Sequence, residues 1–212
     1  MIRLLFLFLW DDIIIEEKSI ICEMFMNKED IKLFTKIPTL RTERLTLRKI
    51  LPSDLDDVFE YGSDPSVSKF LLWSPHPDKG YTRFYLNFVA VRYKKAEFYD
   101  WGVEYQGKMI GTCGFTAFDV NNNSAEIGYV LNSKYWGIGI GYEAASKVVE
   151  FGFSLLELNR IEVHYLVGND ASAALAKKLG MTFEGIHRGA VKCKGEYRDV
   201  CVAAITREEY FG

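Results

Sequence analysis

The stretch EIGYVLNSKYWGIGIGYEA, residues 126–144, places three glycines between a run typical of a β-strand and a run typical of an α-helix. The first N–H groups of a helix have no partners within the helix, and its N-terminus is electropositive, so such a junction can bind an anion. A tight turn would explain one or two glycines. The alternation of Gly137, Gly139 and Gly141 instead favours a loop whose backbone approaches a phosphate without Cβ atoms in the way.

Two known phosphate-binding motifs can be compared with this loop. A Walker loop is excluded because no Gly-Lys-Ser/Thr follows the glycines. Gly139, Gly141 and Ala144 match the dinucleotide fingerprint G-x-G-x-x-A, which requires the glycines to follow the strand closely. Here six residues separate Leu131 from Ile138, and the next predicted strand ends later than the fingerprint requires. A nicotinamide or flavin dinucleotide enzyme is therefore a weak alternative.

Length and composition indicate one globular domain, with or without an extension. The chain has 212 residues and a formal net charge of −3, which provides no basic surface for nucleic acid. Its cysteines, Cys22, Cys113, Cys193 and Cys201, form no C-x-x-C pair and have no histidine at zinc-ligand spacing. We therefore expect free buried thiols, no metal, no membrane association and a reducing, cytoplasmic location.

The N-terminus, MIRLLFLFLW, is a short apolar run that ends at two aspartates. It is far shorter than the about 18 apolar residues that span a bilayer, and no small-residue cleavage site follows it. An extra strand or helix explains this run better than a signal peptide does. So does an over-long start, with Met24 or Met26 as the true initiator. We expect residues 1–37 to be an extension and residues 38–212 to form the functional domain.

The remaining segments predict a mixed α/β fold. LRTERLTLRKI and RIEVHYLVGND alternate apolar and polar residues as half-buried strands do, and two turns divide residues 100–131 into three strands. Residues 141–156 place apolar side chains from Ala144 to Leu155 and Leu156 on one helical stripe. The predicted order is β-α-α-β-β-β-α-β-α-β-β, a mixed sheet with helices on both faces.

Two of the predicted helices carry more specific expectations. Ser53 is a good N-cap for a helix that begins in LPSDLDD. A second helix, over residues 80–95, has apolar side chains at positions 84, 88 and 91 with helical spacing. Its aromatic side chains form a stripe of the kind that usually packs in a core: Tyr81, Phe84, Tyr85 and Phe88.

Four ordered motifs together are similar to the GNAT acetyltransferases. They read AEIGYVLNSKYWGIGIGYEA, NDAS, KKLGMTFEG and GEYRDV. The resemblance covers about residues 38–208 and is greatest to the RimJ/RimL type, which acetylates the N-termini of ribosomal proteins. It implies the GNAT fold, a largely antiparallel sheet of six or seven strands with a splayed cleft between residues 125–131 and 160–167.

In that family the glycine loop binds the pyrophosphate of coenzyme A, and the cleft holds the pantetheine arm and the thioester. The resemblance implies backbone donors to phosphate from Trp136, Gly137, Ile138, Gly139, Ile140 and Gly141. It implies contacts with pantetheine from Tyr129, Val130, Leu131 and Asn169. Trp136 stands where the family's loop usually has Arg or Gln. Acetyl-CoA is therefore the expected co-substrate.

Acetyl transfer from a thioester needs a neutral amine, a polarised carbonyl and a protonated leaving thiolate. The backbone N–H of Val130 or Leu131 is expected to polarise the carbonyl. Ser172 matches the family's serine near the sulfur, where its hydroxyl could protonate the thiolate. The alternative is that Ser172 only satisfies the backbone at the start of a helix.

The general base is harder to identify. The glutamate that serves ribosomal-protein enzymes falls at Val191, and a tyrosine acid common in the wider family falls at Ala176. Glu126, at the start of the strand beside the cleft, and His164, on the next strand, are the remaining candidates. A solvated edge carboxylate and a satisfied polar histidine are the corresponding structural alternatives.

Three other features complete the functional expectations. The aromatic stripe is an alternative wall for the acceptor pocket, His76 lies in a loop that could border that pocket, and Asp199 is expected to be structural. Deprotonating an α-amine of pKa about 8 at pH 7 costs about 1.4 kcal/mol, against about 4.6 kcal/mol for lysine. A site without an obvious strong base therefore favours an α-amine.

The leading hypothesis is an acetyl-CoA-dependent N-acetyltransferase that acts on a protein N-terminus or a small amine. The alternative from another class is a non-catalytic acyl-CoA-binding or regulatory module, which the residues at positions 176 and 191 motivate. Specificity is expected from the variable segment over residues 64–99. Members of the family often form dimers, so a homodimer is expected as well.

Overall fold

The structure is a computed structural model that describes residues 37–94 and 99–212. The described helices are α1 (Leu55–Gly62), α2 (Pro65–Ser68), α3 (Lys79–Lys94), α4 (Ile140–Ser154), α5 (Asp170–Lys178) and α6 (Arg207–Phe211). The described strands are β1 (Leu40–Arg41), β2 (Leu45–Arg48), β3 (Tyr99–Tyr105), β4 (Lys108–Asp119), β5 (Ser124–Leu131), β6 (Arg160–Leu166), β7 (Thr182–Cys193) and β8 (Glu196–Thr206). The predictions for the N-terminal extension lie outside the described residues.

The eight strands form one sheet in the order β1-β2-β3-β4-β5-β6-β8-β7, and only β5 and β6 pair in parallel. The predicted mixed, largely antiparallel sheet is confirmed, but the predicted count of six or seven strands is wrong. The additional strand is β1, in which Leu40 lies opposite Leu47. A strand of two residues is too short to show an alternating pattern in the sequence.

Helices cover both faces of the sheet, as predicted. On β3, Trp101 packs edge-on against Phe151 of α4, with the ring centroids 5.4 Å apart. The preceding residue, Asp100, lies under α3, whose Tyr93 hydroxyl donates to the Asp100 carbonyl at 2.6 Å. Helices α5 and α6 pack beside α4, and α1 packs beside α3. We call the two sides of the sheet the α4 face and the α3 face.

Helix α3 buries a different stripe from the predicted one. Three side chains of the predicted aromatic stripe, Tyr81, Phe84 and Phe88, are 47, 72 and 37% exposed, and only Tyr85 packs against the core. The expectation that the stripe packs in the core is therefore wrong for these three. The buried side chains of the helix are those of Thr82, Leu86, Val89 and Tyr93. Both stripes have helical spacing, so periodicity cannot rank them, and the buried one contains a threonine that a hydropathy pattern discounts.

Two other helix details differ from the predictions. Ser53 is not an N-cap but lies inside a 3-10 turn, Pro52–Asp54, and α1 begins after that turn. In α4 the predicted stripe is buried from Ala144 to Gly152, but Leu155 lies beyond the last helical residue and is 61% exposed. Both errors fall at helix ends, where the periodicity of side chains does not define the boundary.

Three of the cysteines, Cys113, Cys193 and Cys201, are buried free thiols. Within residues 37–94 and 99–212, no set of His, Cys, Asp and Glu side chains is arranged to hold a metal ion. In the same residues, no helix has the length and apolar character needed to cross a bilayer.

Candidate active site

A gap in the sheet separates most of β5 from β6. The two strands pair only through residues 124–126 and 160–162. Beyond these residues, β5 continues along β4 as far as Leu131, and β6 continues along β8 as far as Leu166. The predicted cleft between these strands is therefore confirmed, and their facing backbone edges line it.

The register of β5 decides which backbone groups face the gap. The Asn132 N–H donates to the Ile110 carbonyl at 2.8 Å, and bonded positions recur at every second residue of an antiparallel pair. Val130 therefore directs its backbone groups towards β4, whereas Tyr129 and Leu131 direct theirs into the gap. In contrast to the sequence-based expectation, the Val130 N–H cannot polarise a carbonyl in the gap.

The loop between β5 and α4 carries a cluster of unpaired backbone donors. Gly137 and Gly139 have φ angles of 77° and 83°, in the left-handed region that favours glycine. Among the described residues, no acceptor bonds the N–H groups of residues 137–141. This donor cluster lies at the electropositive start of α4, so the loop has the form of an anion site.

Trp136 is not part of the donor cluster. Its N–H donates to the Ser133 carbonyl at 3.2 Å, and its indole Nε1 donates to the Leu131 carbonyl at 2.9 Å. This N–H is already bonded within the turn, and donation from the Trp136 backbone to phosphate stays a prediction. The indole instead satisfies a carbonyl at the end of β5 and holds the loop against that strand.

Glycine occupies positions 137, 139 and 141 for different physical reasons. A Cβ on Gly137 would meet nothing within 4 Å, so it would project into the open space before the loop. A Cβ on Gly141 would lie 3.3 Å from Leu131 Cδ1, so that glycine allows close packing between α4 and β5. Only Gly137 and Gly139 are thus explained by the backbone conformation of an anion-binding loop.

An ion pair that the sequence analysis missed braces the loop. Arg44, between β1 and β2, donates from Nη1 to the Ile138 carbonyl at 3.0 Å and from Nε to Glu143 at 2.6 Å. Thr42 Oγ1 donates to the same carboxylate at 2.5 Å. Burial raises the pKa of Glu143, but the hydrogen bonds from Thr42 and Arg44 outweigh it and lower that pKa overall.

The brace fixes the orientation of the loop. Because the Ile138 carbonyl is bonded to Arg44, it is held as an acceptor on the Arg44 side of the loop. The partners are 94 to 101 positions apart in the chain, so no local pattern could have indicated the contact.

On the α4 face of the gap, Tyr129 of β5 reaches towards α5. Its hydroxyl is buried and has no hydrogen-bond partner of normal geometry among the described residues. Burial raises the pKa of Tyr129 to about 12, and the nearby Ser172 hydroxyl of α5 offsets part of that effect. Asn169 caps α5, because its side chain accepts from the Ser172 N–H at 3.3 Å. The structure therefore brings Tyr129, Asn169 and Ser172 together.

On the α3 face of the gap lies a chain of ionisable side chains. His164 Nδ1 is 3.3 Å from Glu126 Oε2, and His164 Nε2 is 3.1 Å from Glu162 Oε1. Hydrogen bonds from His164 and Arg160 lower the pKa of Glu162 to about 2. Arg160 also binds Glu184 of β7 at 2.5 Å. The two candidate bases, Glu126 and His164, are thus in direct contact.

A further carboxylate on the α3 face, that of Asp100, was not singled out by the sequence analysis. Its Oδ1 atom is buried and has no hydrogen-bond partner among the described residues. Burial raises the pKa of Asp100 to about 7, although Thr112 and the Trp101 backbone lower it in part. Asp100 lies opposite Gly114 of β4, and Gly114 lies opposite Gly128 of β5. This row leads across the sheet from Asp100 to the gap.

The hairpin of β7 and β8 closes the α3 face beyond the end of β6. Lys194 Nζ donates to the Ser68 carbonyl at 2.6 Å, and Cys193 Sγ donates to the Leu71 carbonyl at 3.4 Å. Val191, at the position of the family's glutamate, packs with Phe70 in a small apolar cluster of Leu166, Cys193 and Val200. The side chain at position 191 therefore packs in an apolar cluster and does not act as a base.

The other sequence candidates have structural partners. Asp199 Oδ1 accepts from the Gly189 N–H at 2.7 Å, which agrees with the expected structural role. His76 is buried, and its Nδ1 lies 2.9 Å from Thr82 Oγ1. His76 thus anchors the loop before α3. Ala176 is 2% exposed on α5, one turn after Ser172.

Comparisons with known proteins converge on one family. A sequence model described as acetyltransferase (GNAT) domain matches residues 44–182. The chain is 38% identical over 176 residues to "Uncharacterized N-acetyltransferase p20" of Bacillus licheniformis, which covers 82% of this chain and 99% of that protein. It is 26% identical over 174 residues to "Putative ribosomal N-acetyltransferase YdaF" of Bacillus subtilis (strain 168), with coverage of 80% and 95%.

The fold agrees with solved structures. The crystal structure of an acetyltransferase (GNAT family) from Bacillus anthracis matches with a TM-score of 0.71 and 29% identity, covering 81% of this chain and 99% of that one. The family resemblance that the four motifs suggested is confirmed by these matches.

Proposed function

This chain belongs to the GNAT acetyltransferase family and is an N-acetyltransferase, and from that premise we propose that it transfers the acetyl group of acetyl-CoA to a primary amine by direct attack on the thioester. One observation carries the proposal. The gap between β5 and β6 joins the donor cluster of residues 137–141 to Glu126 and His164 on the α3 face.

The residues around the gap fit coenzyme A. The donor cluster offers consecutive N–H groups to a pyrophosphate, and the space before Gly137 leaves room for it. The free edge of β5 offers the Tyr129 carbonyl and the Leu131 N–H to the amides of pantetheine, while the Leu131 carbonyl is bonded to the Trp136 indole. Asn169 lies across the gap, where it would bond the same arm. Acetyl-CoA, when bound, supplies the activated acetyl group.

Proton removal is assigned to the Glu126–His164 pair. A base of this kind must lie within hydrogen-bond reach of the attacking nitrogen or act through one water. Glu126 stands at the point where β5 leaves β6, so it would accept the proton at the entrance of the gap. His164 is held between Glu126 and the ionised Glu162. It would then accept the proton from Glu126.

Carbonyl polarisation is assigned to backbone N–H groups of β5 that face the gap. Val130, one of the two expected donors, is bonded to β4, and the other, Leu131, lies five residues from Glu126, about 16 Å along the strand. The Tyr129 N–H faces the gap closer to Glu126 and is therefore the assigned donor. Preorganised donors of this type typically contribute about 10² to 10³ in kcat.

The acceptor proposed is an α-amine, of a protein N-terminus or of a small molecule. An α-amine is about 3 kcal/mol easier to deprotonate at pH 7 than lysine, which suits a site whose base is a carboxylate–imidazole pair. The relative named a ribosomal N-acetyltransferase supports a protein N-terminus. Relatives named N-acetyltransferases do not favour the alternative of a non-catalytic module.

Cellular location and self-association complete the proposal. Buried free thiols at Cys113, Cys193 and Cys201 support a reducing, cytoplasmic location. Self-association into a homodimer stays a prediction.

The proposal is tested by calorimetric titration with acetyl-CoA, with NAD as the control ligand, followed by thiol release from acetyl-CoA in the presence of amines. We expect saturable binding of acetyl-CoA, no heat with NAD, and faster release with a peptide that has a free N-terminus than with its N-terminally blocked form carrying a lysine. Binding of NAD alone would reopen the dinucleotide alternative. Acetyl-CoA binding without release by any amine would favour the non-catalytic module.

A further inference from the structure

We propose that Tyr129 is a further catalytic residue, whose hydroxyl donates to the sulfur of coenzyme A as the thioester bond breaks, with Ser172 as its hydroxyl neighbour. The inference rests on the proposed function. It changes the role of Tyr129, which the sequence analysis expected only to contribute backbone contacts to pantetheine, and it gives Ser172 a supporting role.

The first observation is the unsatisfied hydroxyl. Tyr129 Oη is buried without a hydrogen-bond partner of normal geometry in the described part of the chain. Buried hydroxyls are nearly always bonded, because leaving one unpaired costs free energy. A group retained in this state at the edge of the gap has the property expected of a donor that waits for a ligand atom.

The second observation is the position of the hydroxyl. Tyr129 lies opposite Cys113 in the β4–β5 ladder, three residues beyond the last residue of β5 that pairs with β6. Its ring is directed to the α4 face, where Ser172 in the first turn of α5 approaches the hydroxyl. The tyrosine thus reaches from one wall of the gap to the helix that follows the other wall.

The third observation is one face of α5. Ser172 and Ala176 are four residues apart and so share one face of the helix. Ala176 is buried and contributes only a methyl group to this face. The Tyr129 hydroxyl approaches the same face beside Ser172.

The two faces of the gap then divide the proton transfers. The amine nitrogen bonds to the acetyl carbon, and Glu126 on the α3 face accepts a proton from that nitrogen. The C–S bond breaks, its electron pair goes to sulfur, and Tyr129 on the α4 face donates its proton to the thiolate. Tyr129 recovers a proton from solvent through Ser172 after the products leave. No oxidant or metal is needed for this balance.

The state of the phenol suits this role. Burial raises the pKa of Tyr129 to about 12, so the hydroxyl is protonated throughout the neutral range. It can therefore stabilise a developing thiolate as a hydrogen-bond donor even before proton transfer is complete.

The test measures the pKa of the bound thiol and requires no acceptor. Coenzyme A labelled with ¹³C at the carbon next to sulfur is bound to the full-length protein, and the carbon shift is followed as a function of pH. We expect Tyr129→Phe to raise the pKa of the bound thiol by about 1 to 2, the effect of losing one hydrogen bond to a charged group. Ser172→Ala is expected to raise it by less.

Tyr165→Phe is the matched control. Tyr165 lies on β6 across the gap, and its hydroxyl is associated with Cys201 of β8. We expect this variant to leave the thiol pKa unchanged. A calorimetric Kd for coenzyme A that is equal in wild type and Tyr129→Phe confirms that the variant is folded and that the loop still binds.

The outcomes separate the two proposals. If the wild-type protein does not bind coenzyme A, the proposed function itself fails. If coenzyme A binds but its thiol has the same pKa in wild type and Tyr129→Phe, the role of Tyr129 is overturned while the proposed function stands. An equal rise in Tyr129→Phe and Tyr165→Phe would also overturn it, because the effect would then be general.

Discussion

The two faces of the gap are built from different chemical groups. On the α4 face, the donors are backbone N–H groups of residues 137–141 and the neutral hydroxyls of Tyr129 and Ser172. On the α3 face, the groups beside the gap are the ionisable side chains of Glu126, His164 and Glu162. One face therefore offers backbone donors to an anion, on a loop braced by Arg44, while the other offers groups that can move a proton.

The difference follows from what each task requires. A pyrophosphate is held by several N–H groups aimed at once, and these come from backbone conformation and the helix dipole. Removal of a proton requires a group that changes its charge, which only a side chain can supply. The α4 face, which we call the donor face, should therefore be sensitive to changes in backbone conformation. The α3 face, which we call the acceptor face because its side chains accept the proton, should be sensitive to changes in charge.

The largest expected effect is on the donor face. Gly139→Asp should abolish acetyl-CoA binding in calorimetry, because the φ angle of 83° is strained for a residue with Cβ and the new carboxylate repels phosphate. The far-ultraviolet circular dichroism spectrum should be unchanged.

Gly141→Ala is the matched control for that prediction. Its added Cβ would meet Leu131 Cδ1 at 3.3 Å and needs only a small shift of a flexible side chain. We expect acetyl-CoA affinity within about fivefold of wild type, or about 1 kcal/mol. Equal losses in the two variants would show that backbone conformation is not what distinguishes these glycines.

The next effect is on the acceptor face. Glu126→Gln should lower kcat/KM for the amine by about 10² to 10³, the contribution of a general base, with the calorimetric Kd for acetyl-CoA unchanged. Glu184→Gln is the control, because Glu184 binds Arg160 at the far end of the same charged chain. If both variants lose activity equally, the network as a whole matters and Glu126 has no special role.

The smallest effect concerns the stability of the acceptor face. The pKa of Asp100 is raised from 3.8 to about 7 by burial, so the folded protein binds its proton more tightly than the unfolded chain does. The stability that the protonated Asp100 carboxyl contributes is therefore lost as the pH rises from about 4 to about 7. Above pH 7 the folded state bears the full free-energy cost of the buried carboxylate. The shift alone would correspond to about 4 kcal/mol.

Asp100→Asn should consequently stabilise the protein by about 2 kcal/mol at pH 8, because the residue keeps some exposed surface that reduces the full cost. The difference should disappear near pH 4. Urea unfolding of wild type and variant at pH 4, 6 and 8 measures it. A difference that is independent of pH would show that the carboxylate does not titrate in this range.

The glycine loop shows what a local sequence can specify. The sequence of residues 126–144 predicted a strand, a glycine-rich turn and a helix, and each lies within a few residues of its predicted position. These features depend on φ angles and on hydrogen bonds between near neighbours. The residue-level roles were less secure, since Trp136 donates to Leu131 and Val130 faces β4.

The errors concern contacts between distant segments. No pattern near Arg44 indicates that it bonds Ile138 and Glu143, and no pattern in α3 indicates which of two helical stripes is buried. Periodicity gives the spacing of a stripe but not the element that will cover it. Glu126 and His164 were chosen one by one, and only the parallel pairing of β5 with β6 places them in contact.

The sequence by itself determined the family, the order of the long elements and the glycine-rich turn between β5 and α4, because these depend on residues close together in the chain. The tertiary structure alone decided that β5 and β6 part after three paired residues, that Tyr129 meets Ser172 on one face, and that Glu126 meets His164 on the other. The physical reason is that strand register and helix packing bring residues of remote sequence within hydrogen-bonding distance, and the free energy of those contacts depends on the whole fold.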